Sequence, residues 1–137
     1  MSNKMTAQEL IYKGMVHECY KREDNFSFTD YPEDITYEDL FDELLDSEFG
    51  DTLYEIRYDY RYGDQEVLGL EPTTSSRHYE IEVRASKIDG VWVAWDFYYG
   101  GGKHGEPEAF DWISNARIVE CEERVVTKTE YVFKERT

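Results

Sequence analysis

The spacing of apolar residues changes along the chain, and this change limits the folds open to it. In the first 50 residues, apolar side chains such as Leu10, Ile11 and Met15 recur at helical spacing. Further along, residues such as Tyr79 and Ile81 recur at every second position, which is typical of strands. Helices followed by strands indicate an α+β domain. We predict an antiparallel sheet of four to six strands with two N-terminal helices packed on one face.

Both predicted helices begin at a threonine. Thr6 is followed three residues later by an acidic side chain, a capping-box pattern that predicts a first helix over about Ala7–Lys21. Thr36 opens a second helix, which we expect to end with Gly50 as its C-cap. Residues 23–35 contain Asn, Asp, Ser and Pro and are predicted to form the connecting loop.

Alternating apolar and polar residues predict the strands. Residues 56–62 alternate tyrosines with charged side chains, so we expect a strand there. Residues 79–99 contain two such runs around a glycine turn and predict a hairpin. Residues 116–121 and 125–133 predict two more strands or one long bent strand. The 137 residues are expected to form a single domain, with an acidic helical part of about 1–50 and a β-rich part of about 53–134.

Negative charge is concentrated in one segment. The formal net charge is −16, yet residues 23–56 contain thirteen acidic and no basic side chains. The other 103 residues hold eighteen acids and fifteen bases and are nearly balanced. Such a field repels nucleic acid and anionic membranes and attracts basic partners. We therefore expect neither direct nucleic-acid binding nor membrane binding.

The acids of the second predicted helix occupy one face. Apolar positions such as Leu40, Phe41 and Leu44 fall on the opposite face. No Lys or Arg offsets the neighbouring like charges, whose repulsion costs on the order of 1–2.5 kcal/mol. A local cost without visible compensation is typical of a functional site. The predicted partner-binding residues are Asp34, Glu38, Asp39, Asp42, Glu43, Asp46, Glu48 and Asp51, with Tyr31 and Tyr37 as aromatic anchors.

The acidic face approximates a phosphate track. Carboxylates at i and i+4 are about 6 Å apart along a helix axis, a spacing comparable with that of successive phosphates on a nucleic-acid strand. In charge and size, though in no motif, the chain resembles the phage-encoded antirestriction and anti-CRISPR DNA mimics. This resemblance implies an inhibitor, encoded by a phage or mobile element, that blocks the nucleic-acid groove of a basic defence nuclease.

Two other functions fit the sequence. The acidic helix could dock a basic partner in a non-catalytic binding or assembly module, with oligomeric state left open. The glycine-rich loop Gly100–Gly105 could instead hold a small ligand through Lys103 and His104. The overall negative field argues against an anionic ligand for that loop.

Catalytic and metal-binding patterns are weak in this sequence. The histidines and the two cysteines, Cys19 and Cys121, lack the close spacing of a structural zinc site. No nucleophile motif surrounds a serine or cysteine. We expect a cytoplasmic protein with two reduced, buried thiols, no enzymatic activity and no cofactor.

Overall fold

The computed structural model describes residues 5–67, 69–101 and 111–136. Its regular elements form an α+β domain whose four strands are all antiparallel, in the order β1-β2-β3-β4. The predicted fold class and sheet are confirmed, with the strand number at the low end of the expected range. The elements are α1 (Ala7–Arg22), a 3₁₀ turn (Phe28–Asp30), α2 (Tyr37–Leu45), α3 (Gly50–Tyr60), β1 (Gln65–Glu66), β2 (Glu80–Ile88), β3 (Val91–Tyr99) and β4 (Arg117–Val119).

The hairpin of β2 and β3 is the centre of the sheet. Its register pairs Ile88 with Val91 and continues to Glu80 opposite Tyr99. The turn places Gly90 at a φ of 78°, a conformation that glycine adopts without steric cost. The hairpin therefore forms where the alternating pattern predicts it.

The main core lies between the helices and one face of the sheet. Buried side chains of all three helices pack in one cluster with Val93, Trp95 and Trp112. The Trp95 and Trp112 rings contact each other at a centroid distance of 5.0 Å. The Trp95 indole N–H donates to the Arg61 carbonyl at 2.8 Å, which ties the end of α3 to the sheet.

The opposite face of the sheet is covered by the segment that connects β1 and β2. Asp96 of β3 is fully buried there, and its Oδ2 accepts backbone hydrogen bonds from Thr73 and Thr74, both at 2.9 Å. Its other oxygen pairs with Arg117 at 3.3 Å. A buried carboxylate is stable only when so satisfied, so this network fixes the covering segment.

The strand predicted over 56–62 is wrong, because these residues belong to α3 and the turn after it. The tyrosine alternation coincides with a helical pattern in which Leu53 and Ile56 are buried and Tyr60 is half-buried. Over so short a window, a period of two and a period of 3.6 share several positions. The helical part of the chain consequently extends to residue 60.

The predicted end of the second helix is also wrong. Helix α2 stops at Leu45, with Asp46 as its C-cap, and Gly50 is the first residue of α3. A Cβ atom on Gly50 would lie 2.3 Å from the Leu45 carbonyl oxygen. Glycine is needed here because the two helices meet closely, and not because it caps α2.

Beyond β4 the chain has no strand partner among the described residues. Residues 120–136 contain no helix, strand, turn or bend, and all of them are exposed. The strand predicted over 125–133 is therefore absent from this sheet.

The two cysteines differ in burial, since Cys121 is exposed while Cys19 is buried. Both thiols are free, as predicted, but the expectation that both are buried is wrong for Cys121, which lies beyond the last strand. No helix in the described part of the chain is long and apolar enough to cross a membrane.

Candidate partner-binding surface

Helix α2 is held against the core by its apolar side. Leu40, Phe41 and Leu44 are at most 3% exposed and pack in the main core cluster. The ring of Phe41 lies 5.2 Å from that of Tyr12 in α1. This packing turns the acidic side of α2 toward solvent, as the sequence pattern predicts.

Every acid predicted to bind a partner is exposed. They lie in the loop before α2, on α2 itself, and in the turn and first residue pair of α3. Helix α3 adds Glu55 and Asp59, which follow Asp51 at four-residue spacing and are also exposed. We call this set the acidic surface: Asp34, Glu38, Asp39, Asp42, Glu43, Asp46, Glu48, Asp51, Glu55 and Asp59.

The N-terminus of α2 is fixed by two capping groups. Thr36 Oγ1 accepts the Asp39 amide at 3.1 Å. The Glu9 carboxylate of α1 accepts the amides of Tyr37 and Glu38, both at 3.0 Å. These bonds satisfy amide groups that a helix start leaves free, and the negative charge of Glu9 suits the helix dipole. Glu9 thereby positions the acidic helix relative to α1.

No ion pair between described residues neutralises the acidic surface. The ion pairs between described residues engage other carboxylates, such as Asp89 with Lys13 and Glu18 with Arg22. None of them includes a member of the acidic surface. The negative field of these side chains is therefore directed at solvent and at any approaching partner.

A shallow groove crosses the N-terminal part of this surface. Its volume is about 460 Å³, and its floor contains Pro32, Ile35 and Thr36. Four carboxylates border it, those of Asp34, Asp39, Asp42 and Glu43. A groove with an apolar floor and an anionic rim suits the alkyl stem and cationic head of a Lys or Arg side chain.

The two predicted aromatic anchors are half-buried within the domain. Tyr31 stacks on Phe26 at 6.1 Å, and burial, followed by the charge of Glu43, raises the pKa of its hydroxyl. Tyr37 lies 5.8 Å from the ring of His17. Both rings therefore pack against the core and are only partly accessible to a partner.

The sequence analysis missed exposed residues on α3. Tyr54 and Tyr58 are 62% and 44% exposed and lie beside Glu55 and Asp59. Assigning this stretch to a strand hid them. The four-residue spacing of Asp51, Glu55 and Asp59 is the signal that could have revealed a helix with a charged face.

The predicted ligand loop cannot be placed, since Lys103 and His104 lie outside the described residues. Elsewhere, a cavity of about 230 Å³ is lined by charges of both signs, including Glu18, Arg22 and Lys87. In the described ranges, no three His, Cys, Asp or Glu side chains lie close enough together to hold a metal ion.

Comparisons with protein-family models, with curated proteins and with solved structures found no match to this chain.

Proposed function

We propose that the protein is a nucleic-acid mimic that binds the cationic groove of a nucleic-acid-binding protein and blocks it. The observation that supports this proposal is an exposed acidic surface of ten carboxylates, none of which is paired with a base among the described residues. A surface that only served solubility would mix both signs of charge. The like charges also weaken the helices on which they lie.

The spacing of the carboxylates supports the same proposal. Glu38, Asp42 and Asp46 follow one another at four-residue steps along α2, and Asp51, Glu55 and Asp59 do so along α3. Each step advances about 6 Å, so each ridge extends about 12 Å. Lys and Arg side chains placed along a phosphate backbone can reach charges at such intervals.

The proposed target is a basic protein whose groove already selects polyanions. Long-range attraction would make association fast and would weaken it as salt is added. Tyr54 and Tyr58, exposed beside the second ridge, would supply the desolvated contacts that charge alone does not give. In charge and size this matches an inhibitor of the antirestriction or anti-CRISPR type, for which a defence nuclease is the target.

Reversal of one ridge tests the proposal. The variant Glu38→Lys, Asp42→Lys, Asp46→Lys should fold and should lose the partner, because the reversed ridge repels a cationic groove. Partners are captured from bacterial lysate on immobilised protein across a salt series, and then challenged with duplex DNA and with RNA. We expect the captured protein to bind nucleic acid and to be released by it.

A second triple variant with the same net charge serves as the control. Glu66, Glu71 and Glu80 are exposed on the strand side of the domain, outside the acidic surface. Their replacement by Lys should leave the captured partner almost unchanged. Equal loss in both variants would mean that only net charge matters, and normal binding by the α2 variant would exclude the proposed site.

A further inference from the structure

Residues 120–136 form a segment that we call the C-terminal arm. It continues from β4 without a helix, turn or bend. No backbone hydrogen bond joins it to another described residue. Its charged pair of Glu122 and Arg124 lies within the arm itself. The arm therefore runs away from the domain as a strand-like edge with free donors and acceptors.

The arm exposes apolar side chains that a soluble domain would normally cover. Val125 is 96% exposed, Val126 72%, Tyr131 81%, Val132 86% and Phe133 89%. Exposed large apolar side chains gathered in one segment are typical of an interaction surface. Because β-branched and aromatic residues dominate it, strand pairing is the interaction that it favours.

The order of residues in the arm is self-complementary. Thr129 is the centre of residues 125–133. Antiparallel pairing of two copies about this residue places apolar side chains opposite apolar ones and an acidic side chain opposite a basic one. Lys128 then faces Glu130 of the second copy, and Glu130 faces Lys128. The apolar pairs of this register are Val125 with Phe133 and Val126 with Val132, and Thr127 faces Tyr131; each pair is formed twice.

Charge also favours association through the arm. The arm contains five acids and four bases, a net charge of −1, so nearly all of the net charge of −16 belongs to the rest of the chain. Two domains would repel each other through their acidic surfaces, whereas two arms would not. An arm of about 15 residues extends about 50 Å, which is enough to keep the acidic surfaces apart.

We propose that the C-terminal arm pairs with the arm of a second copy of this chain as a two-fold antiparallel ribbon centred on Thr129. Each strand of the ribbon continues a β4, so the ribbon links two four-stranded sheets. Such an interface is isologous, because the same residues contribute from both copies. The like-charged pairs of this register, which repel each other, lie towards the ends of the ribbon. There, Glu123 faces Glu135 and Arg124 faces Lys134.

Removal of the arm is the first test. The full chain, with a mass of 16.3 kDa, should sediment as a dimer at micromolar concentration. A chain ending at Glu120 should be monomeric and should unfold at an unchanged temperature, because no backbone hydrogen bond or ion pair joins the arm to the described part of the domain. A monomeric full chain, or a dimeric truncated chain, would overturn the proposal.

Charge exchange within the arm tests the register. Lys128→Glu should weaken dimerisation about tenfold, since it replaces two attractive cross-strand pairs by two repulsive ones. Adding Glu130→Lys should restore it. In a register centred on Lys128, residue 128 faces its own copy, and the change replaces one like-charged pair by another. In a register centred on Thr127, residue 128 faces Val126, so in both cases dimerisation would stay nearly unchanged. An unchanged dimer would therefore reject pairing about Thr129.

A single cysteine provides a direct readout of the two-fold centre. Thr129→Cys in a Cys121→Ser background should form a cross-linked dimer under mild oxidation, because residues opposite each other have Cβ atoms about 4.5–5.5 Å apart. Cys19 is buried and does not interfere. If truncation abolishes the dimer but this variant does not cross-link, the arm pairs with an edge of the partner's sheet and the ribbon is wrong.

Discussion

His17 is a histidine without a hydrogen bond on one of its ring nitrogens. Its ring lies 5.0 Å from Phe28 and 5.8 Å from Tyr37, and its Nε2 is buried with no partner among the described residues. Burial, followed by the positive charge of Lys13, lowers the pKa of His17. The folded state therefore favours the neutral ring.

This shift predicts how stability depends on pH. A histidine titrates near 6.5 in the unfolded chain, so below that pH the unfolded state binds a proton that the folded state resists. The contribution of His17 to the free energy of unfolding is thus present above pH 6.5 and is lost as the pH falls through its lower folded-state pKa. His17→Phe, which keeps the ring packing, should reduce this dependence in urea titrations between pH 7 and 5. An unchanged slope in the variant would assign the dependence to other groups.

Single residues show how far the sequence could predict local structure. Thr6 caps α1 as expected, accepting the Glu9 amide at 3.1 Å, because the capping rule depends only on near neighbours. The side chain of Glu9 instead binds α2, a contact across 28 positions that no local rule contains. The eight predicted acids are all exposed, whereas the two anchor tyrosines are half-buried, Tyr31 against Phe26 and Tyr37 beside His17 of α1.

Among the helices, α2 carries the highest density of uncompensated charge. Asp42 is four residues from both Glu38 and Asp46 and three from Asp39, and the last turn of α2 contains no basic residue. Asp42→Lys should raise the free energy of unfolding by about 1 kcal/mol, since it converts these repulsive pairs into attractive ones. Urea denaturation measures this effect.

Asp42→Asn is the matched control for that variant. It removes the repulsion without adding attraction, so it should give a smaller gain. If Asp42→Lys instead lowers the stability, the carboxylate has a favourable contact in the fold. Under the proposed function, the stabilised variant should also bind its partner more weakly, because binding and stability place opposite demands on this position.

The elements that were predicted correctly have long, regular patterns, and those that failed have short ones. Helix α1 and the β2–β3 hairpin each repeat their spacing over many residues. Helix α3 was missed because its buried Leu53 and Ile56 are followed by tyrosines whose exposure depends on the neighbouring helices. Its first residue, Gly50, was taken for a helix end because close approach of two helices cannot be read from one chain segment.

The net charge of the whole molecule predicts an unusual response to salt. Because no base in the described part of the chain pairs with the acidic surface, screening should relieve more repulsion than it removes attraction from the ion pairs. The melting temperature should therefore rise by about 3 °C for each 1 kcal/mol of relieved repulsion as NaCl is added. The α2 triple-lysine variant should show a smaller rise than the Glu66, Glu71 and Glu80 control. A melting temperature that falls with salt would mean that attractive pairs dominate.

At the same scale, the sequence predicts the class of fold but not the fate of its last segment. The alternation over 125–133 predicts a strand, yet these residues form none, and the described sheet of one chain offers them no neighbour. The periodicity of a segment indicates that it can form a strand. It does not show whether the partner strand lies in the same molecule. The folded domain shows that the partner strand is missing, because Val125 and Phe133 stay exposed in it.

The hydrogen bonds from Glu9 to the first amides of α2 determine when the ridge of Glu38, Asp42 and Asp46 can form. A helix of nine residues does not persist by itself in water, and its crowded carboxylates weaken it further. The ridge forms only after α1 has docked and its Glu9 side chain has capped the first turn of α2. Under the proposed function, recognition is therefore an attribute of the assembled domain, and a peptide with the sequence of α2 should not bind the partner by itself.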